Sequence, residues 1–299
     1  MKNSTLSLIS HRPRQSLARA GRFSLDGRES WLMRWTIEGR LYEGEASPLS
    51  GFGPDSPDLC RQEITSLDAQ DLVRLSEGAH AASDPLAHLL REGPDFRSPA
   101  ARFAFETCIL NRVADLRQQA LWQLLKGLAG HTDPTPSRMP TSAVIEPLVP
   151  DWFSWADSLF ARGIRTFKVK VGRDLLRELR ALRELSARYG PSLSLRIDPN
   201  QSWTSDEILE LSREALESNL EWLEDPSSEA DGWQALASPI PLAADEILLG
   251  EEPNAGFLEL LNARFVVLKP MALGGFSACL DWARIAQRGG RPVSVSHLF

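Results

Sequence analysis

The chain has 299 residues, of which 42% are apolar, 24% charged and 8% aromatic. That composition buries a sizeable core and excludes disordered and fibrous classes; at roughly 100 to 200 residues per domain it allows one large domain or a large one with a smaller companion. Net charge is -7, from 33 basic and 40 acidic residues with the basic ones scattered, so no footprint for nucleic acid or an anionic membrane is present and a small-molecule partner is expected.

In chain order, the N-terminal stretch has no apolar run of signal-peptide length, and nothing approaches the roughly 18 apolar residues of a membrane span. The three cysteines, Cys60, Cys108 and Cys279, lie far apart with no C-x-x-C pair. This argues against a disulfide framework or a thiolate metal site, and the chain is expected to be cytoplasmic. Trp31 to Glu38 and Arg40 to Ala46 read as strands joined at Gly39, an antiparallel meander. Ser47 to Pro57 is rich in Pro, Gly and Ser and reads as a loop, either a lid or an ordinary surface connection. Apolar spacing turns helical from Ile64 to Leu90 and from Pro99 to Leu128.

A second breaker-rich stretch, Gly130 to Pro140, precedes a change of style, which places a domain boundary there: an α+β unit over 1–134 and a second unit over 135–299. Beyond it, strand-like runs at Thr141 to Ile145, Thr166 to Val171, Leu193 to Asp198, Leu220 to Glu224, Pro241 to Ala244, Phe265 to Lys269 and Pro292 to Ser296 alternate with helical segments. Thr204 to Glu207 carries a capping-box signature for one of the helices. Repeated strand-helix units imply a parallel sheet covered by helices, one strand short of a closed (β/α)₈ barrel.

The chemistry lies where each strand stops. Lys168 and Lys170, Asp198, Glu224, Asp245 and Lys269 end successive strands at spacings of 28, 26, 21 and 24 residues from Lys170 onward, each about one βα unit. In a parallel barrel those ends open on one face, so the residues should converge. Three carboxylates brought together repel one another unless a cation neutralises them, and oxygen-only ligands select Mg²⁺. A carboxylate substrate could then lose its α-proton because the resulting enediolate would be stabilised electrostatically. Lys168 and Lys170, at positions i and i+2 of a strand, share one face, and two lysines beside each other and a metal should have lowered pKa, making one a neutral base. Lys269 would flank the opposite side of the substrate. Singly, each acidic residue could be only a turn former or helix cap, and a lone Lys-x-Lys only an exposed strand face.

The order Lys-x-Lys, Asp-x-Asn, Glu-Asp-Pro, Asp-Glu, Lys-Pro resembles the enolase superfamily in its muconate-lactonising branch. Within that branch, Gly44 to Gly53, Phe167 to Gly172, Leu195 to Asn200 and Leu268 to Pro270 resemble the o-succinylbenzoate synthase family, over a span from about residue 30 to the end. The resemblance implies a (β/α) barrel of modified TIM type with an N-terminal capping domain. It implies Asp198, Glu224 and Asp245 as Mg²⁺ ligands, and Lys170 as the base that removes the α-proton and then helps the hydroxyl leave by syn elimination. Lys269 would stabilise the enediolate over the other face, Lys168 would hold down the Lys170 pKa, and Asn200 and Glu246 would support the ligands. Arg196, two residues before Asp198, would orient Lys170 or the substrate. The reaction implied is the Mg²⁺-dependent dehydration that yields o-succinylbenzoate for menaquinone. N-acylamino acid racemases and dipeptide epimerases share these lysines and ligands, and an inactive barrel acting as a binding protein is a reading of another class.

Other features carry lesser expectations. Gly274 and Gly275, before a helix, could offer backbone N–H groups to an anionic substrate tail or be a plain turn. Ser294 and Ser296 share a strand face and could line the pocket. Trp203 lies close enough to Asp198 in sequence to touch substrate, although the nine tryptophans are most simply packing. Only 30 residues follow Lys269, whereas the family pattern continues with another helix-strand unit, so the barrel is expected to be incomplete at its C-terminus.

Overall fold

In the computed structural model, residues 3–11, 19–20, 23–24, 28–50, 54–131, 139–214, 219–228, 233 and 240–297 are described. The N-terminal sheet has the order β1 (Ser4–His11), β4 (Ser30–Ile37), β5 (Arg40–Ala46), all antiparallel, beside a two-stranded ribbon of β2 (Arg19–Ala20) and β3 (Phe23–Ser24). The β4–β5 connection is two residues long, and both Glu38 (φ 50) and Gly39 (φ 79) have positive φ, the backbone twist that suits a tight hairpin.

The helical run expected from Ile64 to Leu90 begins earlier and is broken into α1 (Pro57–Thr65), α2 (Ala69–Ala81) and α3 (Pro85–Glu92). Asp68 and Asp84 each cap a new helix, accepting backbone N–H groups that a continuous helix would have paired internally. The run from Pro99 likewise splits into α4 (Pro99–Leu116) and α5 (Leu121–Leu128), with Gln118 at φ 53 in the break. Helix α4 is the centre of the unit. Asp55 accepts from the Ala100 N–H at 3.1 Å and from the Ser98 hydroxyl, fixing its start. A Cβ on Gly44 would lie 1.9 Å from Ala104 O, so only glycine lets β5 approach α4 this closely.

The second unit contains strands β6 (Ala143–Ile145), β7 (Thr166–Lys170), β8 (Ser194–Asp198), β9 (Leu220–Glu224), β10 (Leu242–Ala244), β11 (Ala263–Leu268) and β12 (Val293–Val295). They pair in parallel, in sequence order, with β6 and β12 at the two edges. The intervening helices are α6 (Trp152–Ala161), α7 (Leu175–Tyr189), α8 (Ser205–Glu214), α9 (Ala255–Leu260), α10 (Pro270–Leu273) and α11 (Phe276–Arg288). All seven expected strands are present within one or two residues of their expected ends. Thr204 and Glu207 form the expected capping box, with Thr204 N–H to Glu207 Oε2 at 2.8 Å and Glu207 N–H to Thr204 Oγ1 at 3.4 Å.

Alternation along the strands gives the sheet two faces. Phe167, Val169, Leu195, Ile197, Leu223, Leu242, Val266 and Leu268 belong to the core shared with the helices, while Trp222, Ala243, Val267 and Phe265 form a separate cluster. The sheet is strongly curled into an incomplete barrel. Arg196 on β8 reaches Ser294 on β12 at 3.4 Å although four inter-strand steps separate them, a span of about 19 Å in a flat sheet. The N-terminal unit has its own core, against which Met271, Phe276 and Leu280 of the barrel unit also pack. The expected boundary at 134/135 falls in residues 132–138, outside the described residues, as do Gly51, Phe52 and Gly53 of the expected lid. The described start of that loop is anchored, Ser47 N–H donating to Met271 Sδ at 3.3 Å. The cysteines are buried thiols, with Cys60 and Cys279 each pushed up to about 12 by burial.

Candidate active site

The strand ends converge as the spacing predicts. Lys168 Nζ lies among the three carboxylates, 2.7 Å from Asp198 Oδ2, 3.9 Å from Asp245 Oδ2, and in contact with Glu224 Oε1. Lys170 Nζ donates to the same Asp198 Oδ2 at 2.6 Å and to Asn200 Oδ1 at 3.0 Å. Lys269, arriving from β11, is 2.6 Å from Asp245 Oδ2 and 3.7 Å from Glu246 Oε1. Asn200 Nδ2 donates to Glu246 Oε1 at 3.1 Å, so Asn200 and Glu246 bridge the two lysine flanks.

Most of this cluster is removed from water: Lys170, Asp198, Glu224, Asp225, Asp245 and Lys269 are all buried. Counting Glu246, five carboxylates face three ammonium groups; with all five ionised two negative charges would remain, the deficit that one divalent cation cancels. Proton affinities express the same imbalance. Burial and then the charges of Asp198 and Asp245 push Glu224 up to about 8, against the pull of Lys168. Burial, followed by Asp245, raises Asp225 well above the carboxylate range. Asp198 is held well below that range, because the ammoniums of Lys168 and Lys170 outweigh its burial. Among the described residues no three acidic, imidazole or thiolate groups form a ready-made metal cluster; the carboxylates close on the Lys168 ammonium. The donor set nonetheless fits a hard cation, being all oxygen and short of two positive charges.

Several expectations need correction. Lys168 does not have a lowered pKa: burial lowers it, but Asp198, Glu224 and Asp245 together raise it well above the ordinary lysine value. The Lys269 pKa is raised too, burial being outweighed chiefly by Asp245, which agrees with its expected place as a cation. Arg196 does not orient Lys170; it pairs with Glu221 at 2.9 and 3.2 Å and stacks on Trp222 at 3.9 Å. Ser294 shares the inner face as expected but accepts from Arg196, while the Ser296 N–H closes the sheet onto Leu268 O at 2.8 Å. Trp203 is buried in the same apolar core as Ile208 and Leu211.

Gly274 and Gly275 do not offer a vacant anion site. The Gly275 N–H donates to Pro270 O at 2.8 Å, and the start of α11 is held by Glu106 of α4, which accepts from the Ser277 N–H at 3.1 Å and from its hydroxyl. A Cβ on Gly275 would lie 2.3 Å from Glu106 Oε2, so the glycine makes room for a carboxylate of the protein. Sequence reasoning missed Glu106, whose signal was an acidic residue set among the buried apolar positions Ala104, Phe105, Ile109 and Leu110 of its helix. It also missed Asp225, the second acid of Glu-Asp-Pro, whose carboxylate accepts the Asp245 and Ile247 N–H groups, both at 2.9 Å.

Known proteins share this arrangement of sequence and fold. The family model described as Enolase C-terminal domain-like matches residues 154–298. An L-Lys-D/L-Arg epimerase from Methylococcus capsulatus is 31% identical over 262 residues, covering 85% of this chain and 70% of that protein. The chain belongs to the enolase superfamily. Another superfamily relative, an o-succinylbenzoate synthase from Desulfotalea psychrophila, is 26% identical over 317 residues, covering 95% of this chain and 81% of its own length. Among solved structures, the Methylococcus capsulatus dipeptide epimerase complexed with Mg ion superposes with a TM-score of 0.76 at 23% identity, covering 100% of this chain and 83% of that one. As an enolase-superfamily fold, the molecule combines an N-terminal capping domain with an incomplete barrel. Among the described residues no helix is long and apolar enough to cross a membrane.

Proposed function

We propose that this chain is a Mg²⁺-dependent hydro-lyase, an o-succinylbenzoate synthase of menaquinone biosynthesis acting in the cytoplasm on 2-succinyl-6-hydroxy-2,4-cyclohexadiene-1-carboxylate. The observation that carries the reading is the placement of Lys170 and Lys269 on opposite flanks of one buried carboxylate cluster. Asp198, Glu224 and Asp245 would hold Mg²⁺, which when bound supplies positive charge to the substrate carboxylate as its α-C–H bond breaks. Lys170 takes that proton. Its Nζ is oriented by Asp198 and Asn200. The Lys170 ammonium then returns the proton to the β-hydroxyl as the C–O bond breaks and water leaves. Lys269, pinned by Asp245 and Glu246, stays protonated and faces the charge that develops on the substrate. Residues 1–134 would act as the cap that excludes water and residues 135–299 as the barrel that carries the chemistry.

The Desulfotalea synthase supports dehydration, since the likeness runs over 95% of this chain. The 31% identity to the Methylococcus epimerase favours a second reading, racemisation or epimerisation with Lys170 and Lys269 as alternating base and acid. Purified protein with Mg²⁺ is expected to form o-succinylbenzoate, and Lys170→Ala and Lys269→Ala to form none. Exchange of the α-proton of N-acylamino acids or dipeptides without o-succinylbenzoate would establish the second reading. Unchanged turnover in both alanine variants would overturn the roles given to the lysines.

A further inference from the structure

Asp245 occupies the N-cap position of the 3₁₀ turn Glu246–Leu248, yet its side chain makes no capping hydrogen bond. An aspartate there ordinarily turns back to accept one of the first free N–H groups of its own turn. Here the Ile247 donor is taken by Asp225. Its Oδ1 accepts the Asp245 N–H and its Oδ2 the Ile247 N–H, both at 2.9 Å. Asp225 also reaches the loop after β8, accepting from Gln201 Nε2 at 3.3 Å, while its main-chain oxygen accepts the Gln201 N–H at 3.0 Å. Its own N–H donates to Ala243 O at 3.1 Å. One residue, 1% exposed and held at φ 38, thus ties the β9 end to the β8 and β10 loops.

We infer that Asp225 is a positioning residue that caps the turn in place of Asp245, freeing the Asp245 carboxylate to face the cation site. This rests on the reading of Asp198, Glu224 and Asp245 as Mg²⁺ ligands. Without the Asp225 carboxylate the Ile247 N–H is left free, and Asp245 gains an alternative use: to turn back and cap its own helix. The third ligand then has to be pulled out of that capped state whenever the metal binds. Residues that orient ligands in this way typically change metal affinity 10- to 100-fold when removed.

The test is calorimetric titration of Mg²⁺ into metal-stripped full-length chain, alongside thermal unfolding in chelator. Asp225→Asn, which keeps one acceptor, is expected to weaken Mg²⁺ several-fold, and Asp225→Ala about 10- to 100-fold. In an Asp245→Asn background, adding Asp225→Asn should weaken binding no further, because the ligand it positions is already lost. If Asp225→Ala does not fold, the near-isosteric Asp225→Asn and its cycle with Asp245→Asn still decide. A lowered melting temperature in chelator with Mg²⁺ affinity within twofold of the unmodified chain would make the role purely structural and overturn the inference alone. Absence of Mg²⁺ binding by the unmodified chain would overturn the metal reading and this inference with it.

Discussion

Replacing Glu106 with glutamine isolates one buried polar contact between the N-terminal unit and the barrel unit. The Glu106 carboxylate is 2% exposed, and its acceptors are filled by the N–H and hydroxyl of Ser277, itself 5% exposed. Burial raises the Glu106 carboxyl; the Ser277 and Phe276 donors and the Arg102 charge draw it back only in part. The fold therefore holds the proton to higher pH than the unfolded chain does. Between the ordinary glutamate value, about 4.3, and the raised folded value, the unfolded state ionises first. Stability from this group is complete below that window and is lost as pH rises through it, with a slope of at most about 1.4 kcal/mol per pH unit for one proton. Glutamine has the same shape and cannot ionise; its carbonyl can accept the Ser277 N–H while its amide donates to the hydroxyl. Urea unfolding near pH 5 is expected to place the two proteins within about 1 kcal/mol of each other, and the Gln variant should gain on the parent as pH rises toward 8. Parallel stability curves would refute the reasoning. Glu106→Ala leaves both Ser277 donors buried without a partner and should cost about 2 to 5 kcal/mol at every pH.

Lys170→Arg should lower turnover about 10²- to 10⁴-fold, since a guanidinium cannot give up a proton to become a base; kcat within tenfold of the parent would remove Lys170 from that role. Adding Mg²⁺ to chelator-stripped protein should raise the unfolding temperature, with a stabilisation of about 2.7 kcal/mol when the metal is at 100 times its Kd; an unchanged melting curve in saturating Mg²⁺ would contradict the metal site. Gly275→Ala should cost roughly 2 to 4 kcal/mol, because a Cβ meets Glu106 Oε2 at 2.3 Å and the backbone sits at φ +106. Part of that cost should vanish in Glu106→Ala, and a penalty of equal size in both backgrounds would rule out the close approach as its source.

The barrel half of the fold was legible because each strand is short, apolar and followed by a turn, and because the chemical residues sit at strand ends, where spacing alone predicts convergence. Lys170, Asp198, Glu224, Asp245 and Lys269 came together for that reason. The helical breaks at Asp68 and Asp84 were less legible, since apolar periodicity continues through them while capping decides where the backbone stops. Arg196 was assigned to the site by strand parity, which gave its face correctly but not its height along the strand. Two residues below Asp198 it meets Glu221 and Trp222 on the neighbouring strand β9, and Ser294 on β12, which only the curvature of the sheet brings near. The raised pKa of Lys168 was not legible because the three carboxylates that close on its ammonium come from the ends of three different strands.

Nine residues after β11 join the two readings of this molecule. Lys269 ends the strand and pairs with Asp245; Met271 Sδ accepts the N–H of Ser47 from the cap; Ser277 receives Glu106 from α4. The lysine proposed to face the substrate and two of the contacts that dock the cap thus lie within one short turn, α10, and the first residues of α11. A cap that shifts on α11 must carry Met271 with it, and Met271 is two residues from Lys269. Loosening the Glu106 contact should therefore reach the reaction through Lys269 before it reaches Lys170, which is held by Asp198 at the end of β8 and by Asn200 in the loop after it. In a Glu106→Ala protein that still folds, the position of Lys269 is the first part of the site expected to loosen.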